Sequence, residues 1–142
     1  VAHLDLDLFK SVNDTLGHAA GDHVLSAVAE ILGEETRRSD VVARVGGDEF
    51  VLLLRGRADG DDMQQLGDRI IRRLEQPMRF EGQSCQISGS IGVVLSTSYQ
   101  SLSAEEILAA ADGALYASKR RGRARCTVLR GGARIVEDQR RL

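Results

Sequence analysis

The sequence has few cysteines, no long apolar run and almost no net charge, and each shortage excludes a class of protein. Its two cysteines, Cys85 and Cys126, lie far apart, which argues against a disulfide framework, and no Cys-His spacing indicates zinc. We therefore expect a reducing, cytoplasmic location. No apolar run approaches the ~18 residues of a membrane-spanning helix, so no direct membrane contact is expected. The net charge of −2 indicates no particular partner.

The length and composition predict a single domain with a real core. The chain has 142 residues, of which 42% are hydrophobic. We assign the domain to residues 1–130 and a charged linker helix, leading toward a further domain, to residues 131–142. Because the sequence opens directly on a strand pattern, we also expect residues to be missing upstream of the first strand.

Hydrophobic periodicity predicts elements in the order β-α-α-β-β-α-β-α-β. This order favours an α+β fold with a mixed, largely antiparallel central sheet flanked by helices. In the first strand, apolar residues alternate up to Leu8 and leave Asp5 and Asp7 on the opposite face. A short helix follows, with a break at Gly17.

The other elements are predicted from turn and cap residues. Gly21 indicates a second turn, and Asp22 is a candidate cap for the next helix. Gly46 and Gly47, which tolerate positive φ, are expected in the turn of a centrally placed hairpin. The remaining predictions are a helix from Asp22 to Glu35, hairpin strands over 41–45 and 50–54, a helix over 63–74 stopped by Pro77, a strand over 84–96, a helix from Ser103 with a Glu106 capping box to about Arg121, and a strand over 126–129.

Two acidic pairs suggest chemistry at one end of this sheet. Asp5 and Asp7 end the first strand, and Asp48 and Glu49 lie at the hairpin turn. If the first strand lies beside the hairpin, these acids meet, and carboxylates ~4 Å apart repel by about 4 kcal/mol at an effective dielectric near 20. Oxygen ligands without His or Cys favour Mg²⁺. The alternative is a surface turn whose acids are simply solvated.

Three blocks of sequence carry a family resemblance. "LDLDLFKSVNDTLGHAAGD", "GGDEF" and "ADGALYASKRRGR" occur in the order and at the spacing found in the GGDEF family of diguanylate cyclases, and the chain resembles that family from about His3 to Leu129. The resemblance implies a palm-like, nucleotidyl-cyclase-like sheet with a ferredoxin-like core. It also implies that the segment expected to be missing upstream of the first strand is helical. It also implies that two GTP molecules are joined into cyclic di-GMP, with release of two pyrophosphates, across a homodimer.

The resemblance implies a role for each matching residue. Two Mg²⁺ ions per active site, with Mn²⁺ as an alternative, would be held by Asp5, the Leu6 carbonyl, Asp48 and Glu49, and Glu49 would also help to deprotonate the 3′-hydroxyl. Asp7 stays open between a structural acid and a ligand. The substrate contacts implied are the backbone N–H groups of Leu8 and Phe9 to phosphate, Asn13 and Asp22 to guanine, and Lys119 and Arg123 to the triphosphate.

These substrate contacts have plainer alternatives. Asn13 is a common turn residue and Asp22 a common helix cap. The basic run around Lys119 and Arg123 is also typical of a solvated or nucleic-acid-attracting face, but without interleaved aromatic residues we expect no nucleic-acid partner. Ala124 stands where the family has Asn, a change that we expect to loosen the end of the last helix.

A second site is implied before the glycines. Arg37 and Asp40 form an RxxD motif at the offset where the family keeps its inhibitory product site, with Arg69 as a helper. Two functions other than an active cyclase remain open: a GTP-binding regulatory module without turnover, and a cyclic di-GMP receptor. Sensory or phosphodiesterase domains are expected to be covalently linked, and the whole protein is either cytoplasmic or the cytoplasmic part of a larger membrane-bound protein.

Overall fold

The structure is a computed structural model and describes residues 1–56, 59–95 and 103–129. Seven strands and four helices lie within these ranges. In chain order they are β1 (Ala2–Asp7), α1 (Phe9–Leu16), α2 (His18–Glu35), β2 (Val41–Arg44), β3 (Glu49–Leu53), α3 (Gly60–Leu74), β4 (Met78–Phe80), β5 (Gln83–Cys85), β6 (Ser88–Val94), α4 (Ala104–Arg120) and β7 (Cys126–Leu129). No helix in these ranges is long and apolar enough to span a membrane.

A five-stranded sheet in the order β2-β3-β1-β6-β7 forms the centre of the fold. β1 pairs antiparallel with β3 and β6, and only β6 and β7 are parallel. The predicted α+β class with a mixed, largely antiparallel sheet is therefore confirmed. The hairpin of β2 and β3 is also confirmed, but β2 lies at the sheet edge and only β3 is an inner strand, so the predicted central position is wrong for β2.

The two faces of the sheet are covered differently. The main core fills one face, where Leu4 and Phe50 of the sheet pack with residues of α2 and α3 such as Leu32 and Leu74. A smaller cluster that includes Val94 and Ala111 lies under α4 on the other face. The alternation of β1 therefore buries its even-numbered residues in the main core and directs its odd-numbered residues toward α4.

The predicted element order lacks two strands. The strand predicted over 84–96 is instead split into β5 and β6, and β4 precedes it as a partner for β5. The turn of this small hairpin contains Glu81 and Gly82, both with positive φ. Strands of three residues are too short to show a period-2 pattern, which explains why the sequence does not reveal them.

The helix starts also differ from the predictions. Gly17, with φ of 95°, separates α1 from α2 as predicted, but α2 begins at His18. Gly21 and Asp22 are therefore helical, so the predicted turn at Gly21 and the predicted cap at Asp22 are both wrong. Leu8 does not extend β1: it is 58% exposed with φ of 71° and is the N-cap residue of α1.

The predicted start of α4 is confirmed. The Ser103 side chain accepts from the backbone N–H of Glu106, and the Glu106 side chain accepts from the backbone N–H of Ser103, which completes the capping box. The linker helix predicted over 131–142 lies outside the described residues.

Candidate active site

The acidic end of β1 meets the hairpin turn between β2 and β3. Asp5 lies opposite Glu49 in the β1–β3 register, and the Leu6 N–H donates to the Asp48 carbonyl at 3.0 Å. Burial raises the pKa of the Asp48 carboxyl, and the negative charges of Asp5 and Glu49 raise it further. Asp5 and Glu49 are therefore close enough to destabilise the charged form of Asp48, as expected where a cation is to be held.

The hairpin turn is closed by backbone and arginine hydrogen bonds. The Val45 N–H donates to the Glu49 carbonyl at 2.9 Å, and the Arg44 guanidinium donates to the carbonyls of Gly46 (3.0 Å) and Gly47 (3.0 Å). The prediction that Gly46 and Gly47 supply positive φ is wrong. The glycines with positive φ among the described residues are Gly17, Gly56, Gly82 and Gly122.

The odd-numbered residues of β1 face charged residues of α4 and of the turn that follows it. We call this set the β1–α4 ladder. Its pairs are His3 Nδ1 with Asp112 Oδ1 at 3.7 Å, Asp5 Oδ2 with Lys119 Nζ, and Asp7 Oδ1 with Arg123 Nη1 at 3.6 Å. The structure thus brings the two cations expected to contact the triphosphate onto the same surface as the acids.

Asp7 anchors the turn after α4. It is 7% exposed, and its Oδ2 accepts from Ser90 Oγ at 2.8 Å and from the Ala124 N–H at 3.2 Å. Arg123 and Ala124 both have positive φ, a conformation that costs non-glycine residues energy and requires support from the surroundings. The side-chain partners of Asp7 therefore match the structural-acid reading that the sequence left open.

The expected guanine-binding residues lie where α1 meets α2. The Asn13 side chain rests against the backbone of Gly21. A Cβ atom at position 21 would lie only 1.8 Å from Asn13 Oδ1. Asp22 is the next residue on α2 and is exposed. The structure therefore places Asn13 against Gly21, the residue before Asp22, and the space that the Asn13 amide occupies explains the glycine.

The expected phosphate-contacting backbone lies at the start of α1. Phe9 is the first helical residue, its side chain is buried in the main core, and the N-cap residue Leu8 provides no side-chain hydrogen bond to the first turn. N–H groups of a first turn have no partner within the helix, so this end is suited to accept an anion.

Arg37 of the RxxD motif and Arg69 line one groove, and Asp40 supports the loop beside it. Asp40 Oδ2 accepts from the Arg37 N–H at 2.7 Å, and Oδ1 accepts from the Arg55 N–H at 2.9 Å, so this carboxylate shapes the loop. Arg69 Nε donates to Glu35 at 2.6 Å. A groove of about 480 Å³ is lined by Arg37, Gly56, Asp59, Asp62, Gln65, Leu66 and Arg69.

One neighbour of the acids was not assigned a role from the sequence. His3 Nε2 lies 3.0 Å from Glu49 Oε1. No short sequence motif connects the two residues, which are 46 positions apart. The one available signal is the period-2 pattern, which places His3 on the same face of β1 as Asp5.

The donor set fits a magnesium ion that is shared with a substrate. Among residues 1–56, 59–95 and 103–129, no three His, Cys, Asp or Glu side chains converge into a ready-made metal cage. Magnesium is usually held by one or two carboxylates together with substrate phosphates rather than by an all-protein cage. Asp5, Asp48 and Glu49, with cations suited to phosphate nearby, match that mode.

Comparisons with known proteins identify similar sequences. The family model described as "Diguanylate cyclase, GGDEF domain" matches residues 1–125. Diguanylate cyclase A of Treponema denticola is 41% identical over 126 residues, covering 88% of this chain and 33% of that protein. Diguanylate cyclase TpbB of Pseudomonas aeruginosa is 42% identical over 124 residues, covering 87% of this chain and 28% of that protein. The chain thus spans about a third of the length of these curated relatives.

A solved structure shows the same similarity in three dimensions. The GGDEF domain of DgcB from Caulobacter crescentus, crystallised in complex with c-di-GMP, gives a TM-score of 0.75 at 30% identity. The match covers 89% of this chain and 75% of that one.

Proposed function

The chain belongs to the GGDEF domain family of diguanylate cyclases, and we propose that it condenses two GTP molecules into cyclic di-GMP with release of two pyrophosphates. The observation that carries this proposal is the meeting of Asp5, Asp48 and Glu49 at one end of the sheet, with Lys119 on the same surface. Clustered carboxylates can bind the metal ions of a metal–triphosphate substrate, and the Lys119 ammonium beside them can bind its phosphates.

Each GTP would be held along the acidic end of the sheet. Asn13 and Asp22 would read guanine, since a carboxylate accepts from the guanine N1–H and N2–H₂ groups. The triphosphate would bind the N–H groups of Leu8 and Phe9 at the start of α1, and Lys119 and Arg123.

Asp5, the Leu6 carbonyl, Asp48 and Glu49 would hold two Mg²⁺ ions, with Mn²⁺ as an alternative. The ions would neutralise the triphosphate and stabilise the charge that develops on the attacked phosphoryl group. Glu49 would take the proton of the 3′-hydroxyl, whose oxygen attacks the α-phosphorus of the other GTP and expels pyrophosphate.

The reaction needs two copies of the chain. One protomer presents one GTP, so the 3′-hydroxyl of that nucleotide must reach an α-phosphorus held by a facing protomer. We therefore propose a homodimer as the active form. We also propose that the full protein acts in the cytoplasm, where GTP is available and where Cys85 and Cys126, both free and buried, stay reduced. Linked sensory or phosphodiesterase domains would regulate the approach of two protomers.

A turnover assay with matched acid variants tests this function. The purified chain, alone and fused to a dimeric coiled coil, is incubated with GTP and Mg²⁺, and products are resolved by chromatography and mass spectrometry. Asp48→Asn should lower turnover by about 10²–10³-fold, because it removes a charge that stabilises the metal–phosphate centre. Glu105→Gln, at an exposed acid in the first turn of α4, should leave turnover unchanged.

Two results would refute the proposal. One is a dimerised wild type that yields no cyclic di-GMP, and calorimetric binding of GTP by such a protein would favour the regulatory module. The other is an Asp48→Asn variant with full activity.

We further propose that product binds the groove between Arg37 and Arg69 and inhibits the enzyme. The two guanidinium groups line one groove of about 480 Å³, and a guanidinium can bind phosphate through two parallel hydrogen bonds. In the same assay, Arg37→Ala should abolish inhibition by added cyclic di-GMP, whereas Arg38→Ala, at the next exposed residue, should leave it intact. A receptor without cyclase activity would show product binding at this groove but no turnover.

A further inference from the structure

His3 occupies a position between the reacting end of the sheet and α4. Its Nε2 lies 3.0 Å from Glu49 Oε1, and its Nδ1 lies 3.7 Å from Asp112 Oδ1. The side chains of His3 and Asp112 are 14% and 26% exposed, whereas that of Glu49 is 44% exposed. The imidazole is thus the better-buried partner of a carboxylate that stands at the edge of solvent.

The backbone fixes where the His3 ring can go. In the β1 register His3 lies opposite Val51 of β3 and Gly92 of β6. Gly92 has no side chain and allows the α4 backbone to approach, since a Cβ atom there would lie 2.0 Å from the Leu115 nitrogen. With α4 so close, the ring is confined between Asp112 and Glu49.

Glu49 needs such a partner because its side chain is long and half exposed. It is the first residue of β3, directly after the turn, and a glutamate there loses rotamer entropy when it is held in one geometry. A hydrogen bond from a ring whose own orientation is fixed can hold the Glu49 side chain in one geometry before the metal or substrate binds.

We infer that His3 is a positioning residue for Glu49: its Nε2–H donates to Glu49 Oε1 and presents Oε2 to the cation or to the substrate hydroxyl. This inference rests on the proposed function, in which Glu49 holds metal and accepts the proton of the 3′-hydroxyl. Asp112 on α4, whose Oδ1 lies 3.7 Å from Nδ1, would limit the movement of the ring on its other side. His3 itself would touch neither the metal nor the nucleotide.

Two substitutions separate the effect of losing the hydrogen-bond donor of His3 from the effect of losing its ring. His3→Phe keeps a planar ring of similar size but removes the donor, and His3→Gln keeps a side-chain N–H donor. We expect His3→Phe to lower kcat by about 10-fold with KM for GTP within about 2-fold, the lower end of the effect of losing a partner that orients a metal ligand. His3→Gln should restore most of the lost rate.

A binding measurement provides a readout that does not depend on turnover. Mn²⁺ affinity is measured by electron paramagnetic resonance of free Mn²⁺ in the presence of a GTP analogue with a methylene bridge between the α- and β-phosphates. His3→Phe should weaken this affinity by about 10-fold, and His3→Gln should recover it. His18→Phe, at an exposed histidine of α2, is the matched control and should match the wild type.

The outcomes distinguish this inference from the proposed function. If the wild type makes cyclic di-GMP and the His3→Phe variant has the same kcat and the same Mn²⁺ affinity as the wild type, the positioning role of His3 is refuted. The proposed cyclase function is not affected by that result. The positioning role is also refuted if a folded His3→Gln variant is as impaired as His3→Phe. A wild type without product or Mn²⁺–nucleotide binding refutes the proposed function itself. If thermal melting shows that His3→Phe is unfolded, His3→Met replaces it with the same expected result.

Discussion

At the residue scale, the two aspartates of β1 differ by their partners rather than by their type. Asp5 lies beside the hairpin acids and Lys119. Asp7, two residues later on the same face, is buried and accepts hydrogen bonds from Ser90 and from the Ala124 backbone. A repeated Asp-x-Asp pattern therefore contains two environments, one suited to a metal ion and one suited to fixing a turn.

Replacement of Asp7 should affect stability and substrate binding more than metal binding. Asp7→Ala removes the acceptor of the Ser90 hydroxyl and one of the two acceptors of the Ala124 N–H, which keeps Ser90 Oγ at 3.3 Å. The loss should lower the free energy of unfolding by about 1–3 kcal/mol, as measured by urea denaturation. Because the freed turn carries Arg123, KM for GTP should rise.

Asp7→Asn is the matched variant, since its amide oxygen can still accept one of these hydrogen bonds. It should recover part of the stability and keep wild-type Mn²⁺ affinity. A severe loss of Mn²⁺ affinity in Asp7→Asn would instead identify Asp7 as a ligand.

The sequence predicted the acids of this site better than it predicted their partners. Alternation in β1 and the hairpin pattern correctly predicted that Asp5 and Glu49 meet, because both follow from local period and strand pairing. The contact of His3 with Glu49 and that of Asp7 with Ala124 join residues 46 and 117 positions apart. Such contacts depend on the sheet order and on the placement of α4, which no local pattern contains.

At the scale of elements, long segments with caps were predictable and short ones were not. α3 and α4 carry sustained apolar stripes, and α4 has a complete capping box at Ser103. The small β4–β5 hairpin has no such pattern, and α2 begins before Asp22 because helical packing of Gly21 against Asn13 outweighs a common capping preference.

The packing of α4 on β6 depends on a residue without a side chain. A Cβ atom at Gly92 would lie 2.0 Å from the Leu115 nitrogen and 2.5 Å from the Ala111 carbonyl oxygen, both backbone atoms that cannot move independently. Gly92→Ala should therefore force α4 away from the sheet and lower the free energy of unfolding by about 3 kcal/mol, at the upper end of the usual cost of overpacking.

A second glycine on a helix provides the control. A Cβ atom at Gly33, on α2, would meet nothing within 4 Å. Gly33→Ala should stabilise the fold by up to about 1 kcal/mol through helix propensity. Thermal and urea unfolding of both variants check the pair, and equal stabilities for Gly92→Ala and the wild type would contradict the described packing of α4.

At the scale of the whole molecule, one of the protein's own cations, Lys119, lies on an acid that would hold a metal, Asp5. Lys119 pairs with Asp5, and Arg123 lies 3.6 Å from Asp7, so α4 is joined to β1 by charge as well as by packing. We expect a metal ion at Asp5 to compete with Lys119, which contacts Oδ2 of that carboxylate. The triphosphate offers Lys119 a new partner, so we expect metal and nucleotide to bind together more readily than the metal binds alone.

Removal of the Lys119 charge should separate these two effects. In the wild type, Mg²⁺ alone should raise the melting temperature little, and Mg²⁺ with the methylene-bridged GTP analogue should raise it strongly, by about 4 °C for each kcal/mol of binding free energy.

In Lys119→Gln, Asp5 no longer has a competing cation, so the shift in melting temperature with Mg²⁺ alone should increase. The further shift on adding nucleotide should decrease, because a phosphate contact is lost. Arg120→Gln, at the next and exposed residue, should behave as the wild type. If both shifts decrease together in Lys119→Gln, then Lys119 does not compete with the metal at Asp5, and the coupling expected from the β1–α4 ladder is wrong.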